Sequence, residues 1–202
     1  MLVNSFLWAE RMNQTTTHSS EKILAAATKI AQAHGYGGLN VRNLATDVGI
    51  KAASLYHHFP SKADLAAAVA RRYWEDAAST LNELSKETSD PVESLRKYPD
   101  VTFRKSLENS NRMCLASFMN AEYDALPDIV KKEVQTFADV NIEWLRKALI
   151  AAKIVGAKEA KRRASAIFAA VVGAQLVARG RSDLGMFDML IDSYRASGLL
   201  PN

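Results

Sequence analysis

The stretch Asn40-Val41-Arg42-Asn43-Leu44-Ala45-Thr46-Asp47-Val48-Gly49-Ile50-Lys51-Ala52-Ala53-Ser54-Leu55-Tyr56-His57-His58-Phe59-Pro60-Ser61-Lys62 decides how the first third of the chain folds. Asn40 can cap a short helix carrying Leu44, Ala45 and Val48, which Gly49 stops. A second short helix runs from about Lys51 to Phe59, and Pro60 breaks it. Ala45, Gly49 and Leu55 fall at offsets 0, 4 and 10. A small residue in the first helix lets the second pack close. The glycine takes a positive φ at little steric cost, and the apolar residue on the second helix faces the shared core. This is the spacing of the bihelical motif that lays its second helix in the major groove of DNA. The offsets alone fit an ordinary helical hairpin as well, because Ala and Gly are common.

Outward from this stretch almost every segment reads as helix. Ser19 or Ser20 can cap a first helix, with Ile23, Ala27, Ile30 and Ala31 at helical spacing and Gly35 at its end. Residues 1–17 read as a loose arm, and Met12 could equally be the start. Ser61-Lys62-Ala63-Asp64 has the form of a capping box opening a long fourth helix to about Glu87. Asp90-Pro91 starts a fifth, which Pro99 should kink or split. A loop at Asn109–Arg112 precedes a sixth helix, about Met113 to Asp124. Pro127 opens a seventh with Val130, Val134, Phe137 and Leu145 on its buried stripe. The eighth spans about Ala157–Arg179 and stops before Gly180, and the ninth runs from Asp183 to Gly198. No period-2 segment argues for a strand. The expectation is an all-α protein of about nine helices.

Composition narrows the function classes. The 202 residues are 48% hydrophobic and 24% charged, ordinary for a soluble protein with a real core. One cysteine rules out a disulfide framework or a multi-cysteine metal centre. No apolar run reaches a membrane span, and the apolar opening Met1–Trp8 lacks the basic flank of a secretory signal. A cytoplasmic protein without a membrane partner is expected. Of the net charge of +4, residues 1–62 hold +3, from six Lys/Arg against three acids. That permits a polyanion partner for the N-terminal part, and is also compatible with plain solvated surface. No phosphate loop, nucleophile elbow or metal-ligand spacing appears. His18, His34, His57 and His58 all lie far in sequence from Cys114. Neither an enzyme, a metal nor a cofactor is expected.

The run Leu55-Tyr56-His57-His58-Phe59-Pro60-Ser61-Lys62 resembles the Leu-Tyr-x-His-Phe-x-x-Lys signature of the TetR family of regulators. So do Asn40–Ala45 before it and the helix from Ser20 to His34; the likeness covers about residues 20–66. Lys51 departs from the pattern, since many members place Ser or Thr there as a helix cap. The resemblance implies an arm (residues 1–18), a three-helix DNA-binding domain (19–65) and a helical ligand-binding and dimerisation domain (66–202). It implies a transcriptional regulator, a repressor released from a palindromic operator in double-stranded DNA by a small-molecule inducer. Asn40, Val41, Arg42, Lys51, Ala52, Ala53, Ser54, Tyr56, His57, His58 and Lys62 are the expected DNA-binding residues. Arg42 can read a guanine edge or hold a phosphate, and small Ala52, Ala53 and Ser54 allow close approach to bases. Tyr56, His57, His58 and Lys62 carry over as phosphate contacts, which position without specifying. The amides at the start of the fourth helix can also accept a phosphate oxygen.

In the remainder, Phe103, Met113, Cys114, Phe118, Met119, Tyr123, Phe137 and Trp144 are candidate walls of an apolar ligand site. Each could equally be plain core. Small residues Ala166, Ala169, Ala170, Gly173, Ala174 and Val177 on the eighth helix suit close helix approach. With Leu184, Phe187, Ile191 and Tyr194 on the ninth, they suit a four-helix homodimer interface or internal packing. Such a dimer would set two recognition helices on half-sites one turn, ~34–36 Å, or its multiples apart. Cys114, expected in the first turn of the sixth helix beside Arg112, is either an inert buried thiol or, with its pKa lowered there, the sensor of a redox- or electrophile-responsive repressor. A regulator governed by a partner protein, without a small molecule, is the other alternative.

Overall fold

The computed structural model describes the backbone of residues 3–202 and the side chains from residue 19 onward. Met1, Leu2 and the side chains of the expected arm lie outside the described residues. Helix α1 spans Val3–His34, so it does not begin at a cap on Ser19 or Ser20. No Gly or Pro interrupts that stretch to stop it. Ile23, Ala27 and Ala31 on α1 are buried, as their spacing predicts. Helices α2 (Val41–Val48) and α3 (Ala52–His58) complete a head. The Asn40 side chain accepts from the amides of Arg42 (3.0 Å) and Asn43 (3.1 Å). Gly49 closes α2 at φ +77 and returns its amide to Ala45 and Thr46. Leu44, Ala45, Leu55 and Phe59 meet the α1 stripe in one core.

Helix α4 (Lys62–Glu87) leads from the head into the body. Its capping box is half as expected. Ser61 Oγ accepts from the Asp64 amide (3.1 Å), but the Asp64 carboxylate accepts from the Ser61 hydroxyl (2.7 Å), not from its amide. Helix α5 (Pro91–Pro99) starts under an Asp90 cap. Pro99 has no amide to donate, and a π turn over Asp100–Arg104 follows before α6 (Lys105–Glu108). The turn aims Phe103 into the core. Taking Pro91–Glu108 as one rod, the described residues form nine helical rods, with no strand among them.

The sixth predicted helix is shorter than expected. Helix α7 covers only Leu115–Ala121, and a 3-10 turn takes Tyr123–Ala125. Cys114 stays outside the helix as its cap, at ψ 124, and its amide donates to Oε1 of buried Gln175 (3.0 Å), distant in sequence. The Gln175 amide group is satisfied in turn by the Phe103 carbonyl and Ser106 Oγ. Helix α8 (Asp128–Ala151) buries Val130, Val134, Phe137 and Leu145, matching the predicted stripe. Helix α9 (Ala157–Arg181) does not stop before Gly180; it runs one residue past it, and Ser182 takes the left-handed turn at φ +51. A helical glycine costs only about 1 kcal/mol relative to alanine, too little by itself to end a helix. Asp183 caps α10 (Leu184–Ala196), and Gly198 ends it at φ +73. Helix α8 packs between α4 and α9, and α10 lies on α9. No helix among the described residues is long and apolar enough to cross a membrane.

Candidate nucleic-acid interface

Helix α3 is anchored from below and open above. Leu55 and Phe59 are buried in the head core, while Lys51, Ala53, Ser54, Tyr56 and His57 are exposed. Tyr56 keeps 46% of its surface. The His57 and His58 rings meet edge-on at 5.9 Å. Lys51 sits at the helix cap with its side chain exposed. Arg42, at the start of α2, is exposed on the same head.

Three expected contacts are placed differently. Val41 is buried, because it faces α1 at the first turn of α2. Ala52 is half-buried against the core. Lys62 donates to the Gly37 carbonyl (3.2 Å) and lies 4.5 Å over the Tyr36 ring, so it braces the α1–α2 loop.

That loop carries a feature with no sequence signal. The Glu122 carboxylate, just past α7 in the body, accepts from the amides of Tyr36 (2.6 Å) and Gly37 (3.0 Å) in the head. Gly35, at φ +66, is required there: a Cβ would stand 2.0 Å from Glu122 Oε2. Glycine-rich Gly35-Tyr36-Gly37-Gly38 announces free amides and a tight turn. Nothing in the sequence points to an acceptor more than 80 residues away.

In the body, a cavity of about 350 Å³ opens between α7, α8 and α9. Of the expected walls, Met113, Phe118 and Phe137 line it. Phe103 and Met119 are core residues. Tyr123 is exposed, with the Lys131 ammonium 4.8 Å over its ring. Trp144 stacks on Tyr98 (5.5 Å) and borders a separate cleft with Lys147. Phe168, Val172, Leu176 and Arg179 complete the cavity wall. Sequence reasoning missed them because α9 shows a stripe of small residues that reads as an interface, and its second face went unassigned.

Cys114 is fully buried. Burial pushes its thiol above the ordinary range, and hydrogen bonds with Ser117 and Tyr73 offset only part of that. Of the two readings of Cys114, burial and the raised thiol favour the inert one over a thiol activated by a helix N-terminus and Arg112. A raised value leaves less thiolate at neutral pH, and the thiolate is the reactive form. Alkylation of native protein by iodoacetamide at pH 7.5, followed by mass spectrometry, should be at least about tenfold slower than in denaturant, where the ordinary cysteine value returns.

The stripe expected to pair two copies divides in two. Ala174, Phe187 and Ile191 point into the protein's own core, where α10 packs on α9. Ala170, Gly173, Leu184 and Tyr194 are half-buried. Ala166, Ala169 and Val177 are exposed, joined by Leu176 (56%) and Met189 (53%), which the sequence reading passed over. The exposed members of the stripe on α9 and α10 are thus small or apolar.

The family profile described as bacterial regulatory proteins, tetR family, matches residues 23–69, which covers α2, α3 and their flanks. The chain is similar to the HTH-type transcriptional regulator LmrA of Bacillus subtilis, 32% identical over 81 residues, 40% of this chain and 43% of that protein. It is similar to the HTH-type transcriptional repressor AcnR of Corynebacterium glutamicum, 37% identical over 70 residues, 35% of this chain and 36% of that protein. The chain thus matches less than half the length of these curated relatives. Its whole fold is similar to a TetR-family transcriptional regulator from Agrobacterium tumefaciens, with a TM-score of 0.81 and 28% identity over 88% of this chain and 96% of that one. A TetR transcriptional regulator from Legionella pneumophila gives a TM-score of 0.82 and 28% identity over 88% and 95%.

Proposed function

We propose that this chain, a member of the tetR family of bacterial regulatory proteins, works as a dimeric repressor that reads a palindrome in duplex DNA and is released by a small molecule. The observation that carries the reading is α3, anchored by Leu55 and Phe59 and presenting Lys51, Ala53, Ser54 and Tyr56 to solvent. Small residues at the helix N-terminus admit base edges, and flanking Lys51, Tyr56, His57 and Arg42 can grip the walls of the groove.

The cavity supports release by a ligand. Helix α7 supplies Ala116, Ser117, Phe118 and Asn120 to the cavity wall, and the next residue beyond α7 is Glu122, which holds the head. A ligand that displaces α7 therefore acts on the loop leading into α2. Ligand and DNA must then weaken each other by the same factor, typically about 5- to 150-fold. Leu176 both lines the cavity and lies exposed on the α9 face, so the mouth borders the surface proposed to meet a second copy.

The test is titration of the purified protein against duplexes from around its own gene. Affinity should fall steeply as salt rises, because phosphate contacts release counterions. Arg42→Ala and Tyr56→Ala should each weaken binding about tenfold, with the dimer intact by light scattering. Salt-independent binding, or full affinity in both variants, would overturn the assignment.

A further inference from the structure

We infer that the cavity's ligand is a small apolar carboxylate whose anionic end pairs with Arg179; this rests on the ligand-responsive reading above. The wall is mostly hydrocarbon: Phe118, Phe137, Phe168, Val134 and Val172 face the space. Ser117 and Asn120 add neutral polar groups, and among the described residues Arg179 is the single charged one lining it. The other charged helices of the body satisfy their arginines with carboxylates, as in Arg71–Glu133, Arg104–Asp188 and Arg146–Glu143. Among the described residues no such ion pair is made by Arg179. Its guanidinium lies 4.8 Å over the Phe118 ring, and Nη1 stands 3.6 Å from the Met113 sulfur.

These two contacts hold the group in place and engage only Nη1 of its donors. A ring face attracts the cation as a whole, and a thioether is a weak acceptor. Among the described residues Nε and Nη2 donate to nothing, and that edge is open to donate two parallel hydrogen bonds to the oxygens of one carboxylate. A cationic ligand would meet a like charge and find no acid on the wall. A neutral ligand that covered the mouth would strip water from the guanidinium and return at most a neutral acceptor, without the charge of a carboxylate. The volume of about 350 Å³ is near the lower end for small-molecule sites. It suits one aromatic ring or a medium acyl chain rather than a polycyclic body or a nucleotide.

The experiment uses the full chain and two matched pairs of probes: 4-phenylbutyrate with its primary amide, and octanoate with its primary amide. Calorimetry measures binding, and operator release is followed in parallel. The carboxylates should bind roughly 10- to 100-fold more tightly than the amides, the range of hydrogen bonds to a charged group. In Arg179→Met the gap should close while amide binding is unchanged, which also shows that the cavity has folded. Arg179→Lys, which keeps the charge and loses the fork, should retain part of the gap. Equal binding of acid and amide to the natural protein, or a gap that survives Arg179→Met, overturns the inference. If acids and amides release operator equally, the carboxylate preference falls and the ligand-responsive reading stands. If neither pair binds or releases operator, both fall.

Discussion

A Val177→Asp, Met189→Asp double variant is expected to be a folded monomer whose operator affinity has fallen about 100-fold or more. Both side chains are exposed, at 44% and 53%, and neither lines the cavity. They lie on a face with Ala166, Ala169 and Ala170, where small side chains let a second pair of helices approach closely. A two-fold interface is isologous, so each new carboxylate is introduced twice and four are placed in one interface. Repulsion between like charges is then added to the loss of apolar contact. Exposed substitutions cost the monomer itself little, within about 0.5 kcal/mol each. The chain should therefore keep its helical content while its mass by light scattering halves. A monomer carries one recognition helix, and binding of the second half-site no longer follows as an intramolecular step. That step supplies about 10²- to 10⁴-fold in a linked pair. A dimer of unchanged mass with unchanged affinity would show that the copies meet elsewhere.

The part of this protein that was legible in advance is the part governed by local rules. Asn40, Gly49 and Pro60 punctuate the head through caps, a positive φ and a missing amide, and each acts within four residues of itself. The period of Val130, Val134, Phe137 and Leu145 on α8 likewise reports its buried face directly. What was not legible depends on distant partners. Cys114 sits outside its helix with its amide on distant Gln175, and α9 carries on through Gly180 until the left-handed turn at Ser182. The small-residue stripe on α9 was visible as a stripe. Which of its members face inward depends on how α10 lies across it, and that put Ala174 and Phe187 in the core. Lys62 fits the signature by position, yet its ammonium is drawn to Gly37 and Tyr36 by a turn whose shape only folding defines.

Removing the Glu122 carboxylate should loosen the head on the body, and Gly35 provides the means to prove that the contact is specific. Glu122→Ala deprives the Tyr36 and Gly37 amides of a charged acceptor. Each such bond is worth about 1.5–3 kcal/mol, with water able to replace the one at exposed Gly37, so the loss should be about 2–3 kcal/mol. In a chain of this size that lowers the melting temperature by about 4–12 °C. Gly35→Ala reaches the same latch from the other side. Its new Cβ would fall 2.0 Å from Glu122 Oε2, at a backbone φ of +66. In the natural background it costs both the left-handed strain, about 1–2 kcal/mol, and the displaced carboxylate. Placed on Glu122→Ala, it costs the strain alone. The two substitutions should thus fall short of additivity by about 2 kcal/mol, well beyond the ~0.3–0.5 kcal/mol scatter of independent sites. Hydrogen exchange at the Tyr36 and Gly37 amides should accelerate in Glu122→Ala while amides in the centre of α8 keep their protection. A head freed from one orientation must be ordered anew on DNA, so operator affinity should fall severalfold, on the order of one ordered loop. Strict additivity, with exchange at Tyr36 unchanged, would mean that the carboxylate does not hold the head, and that α7 has no grip through which the cavity could act on α2.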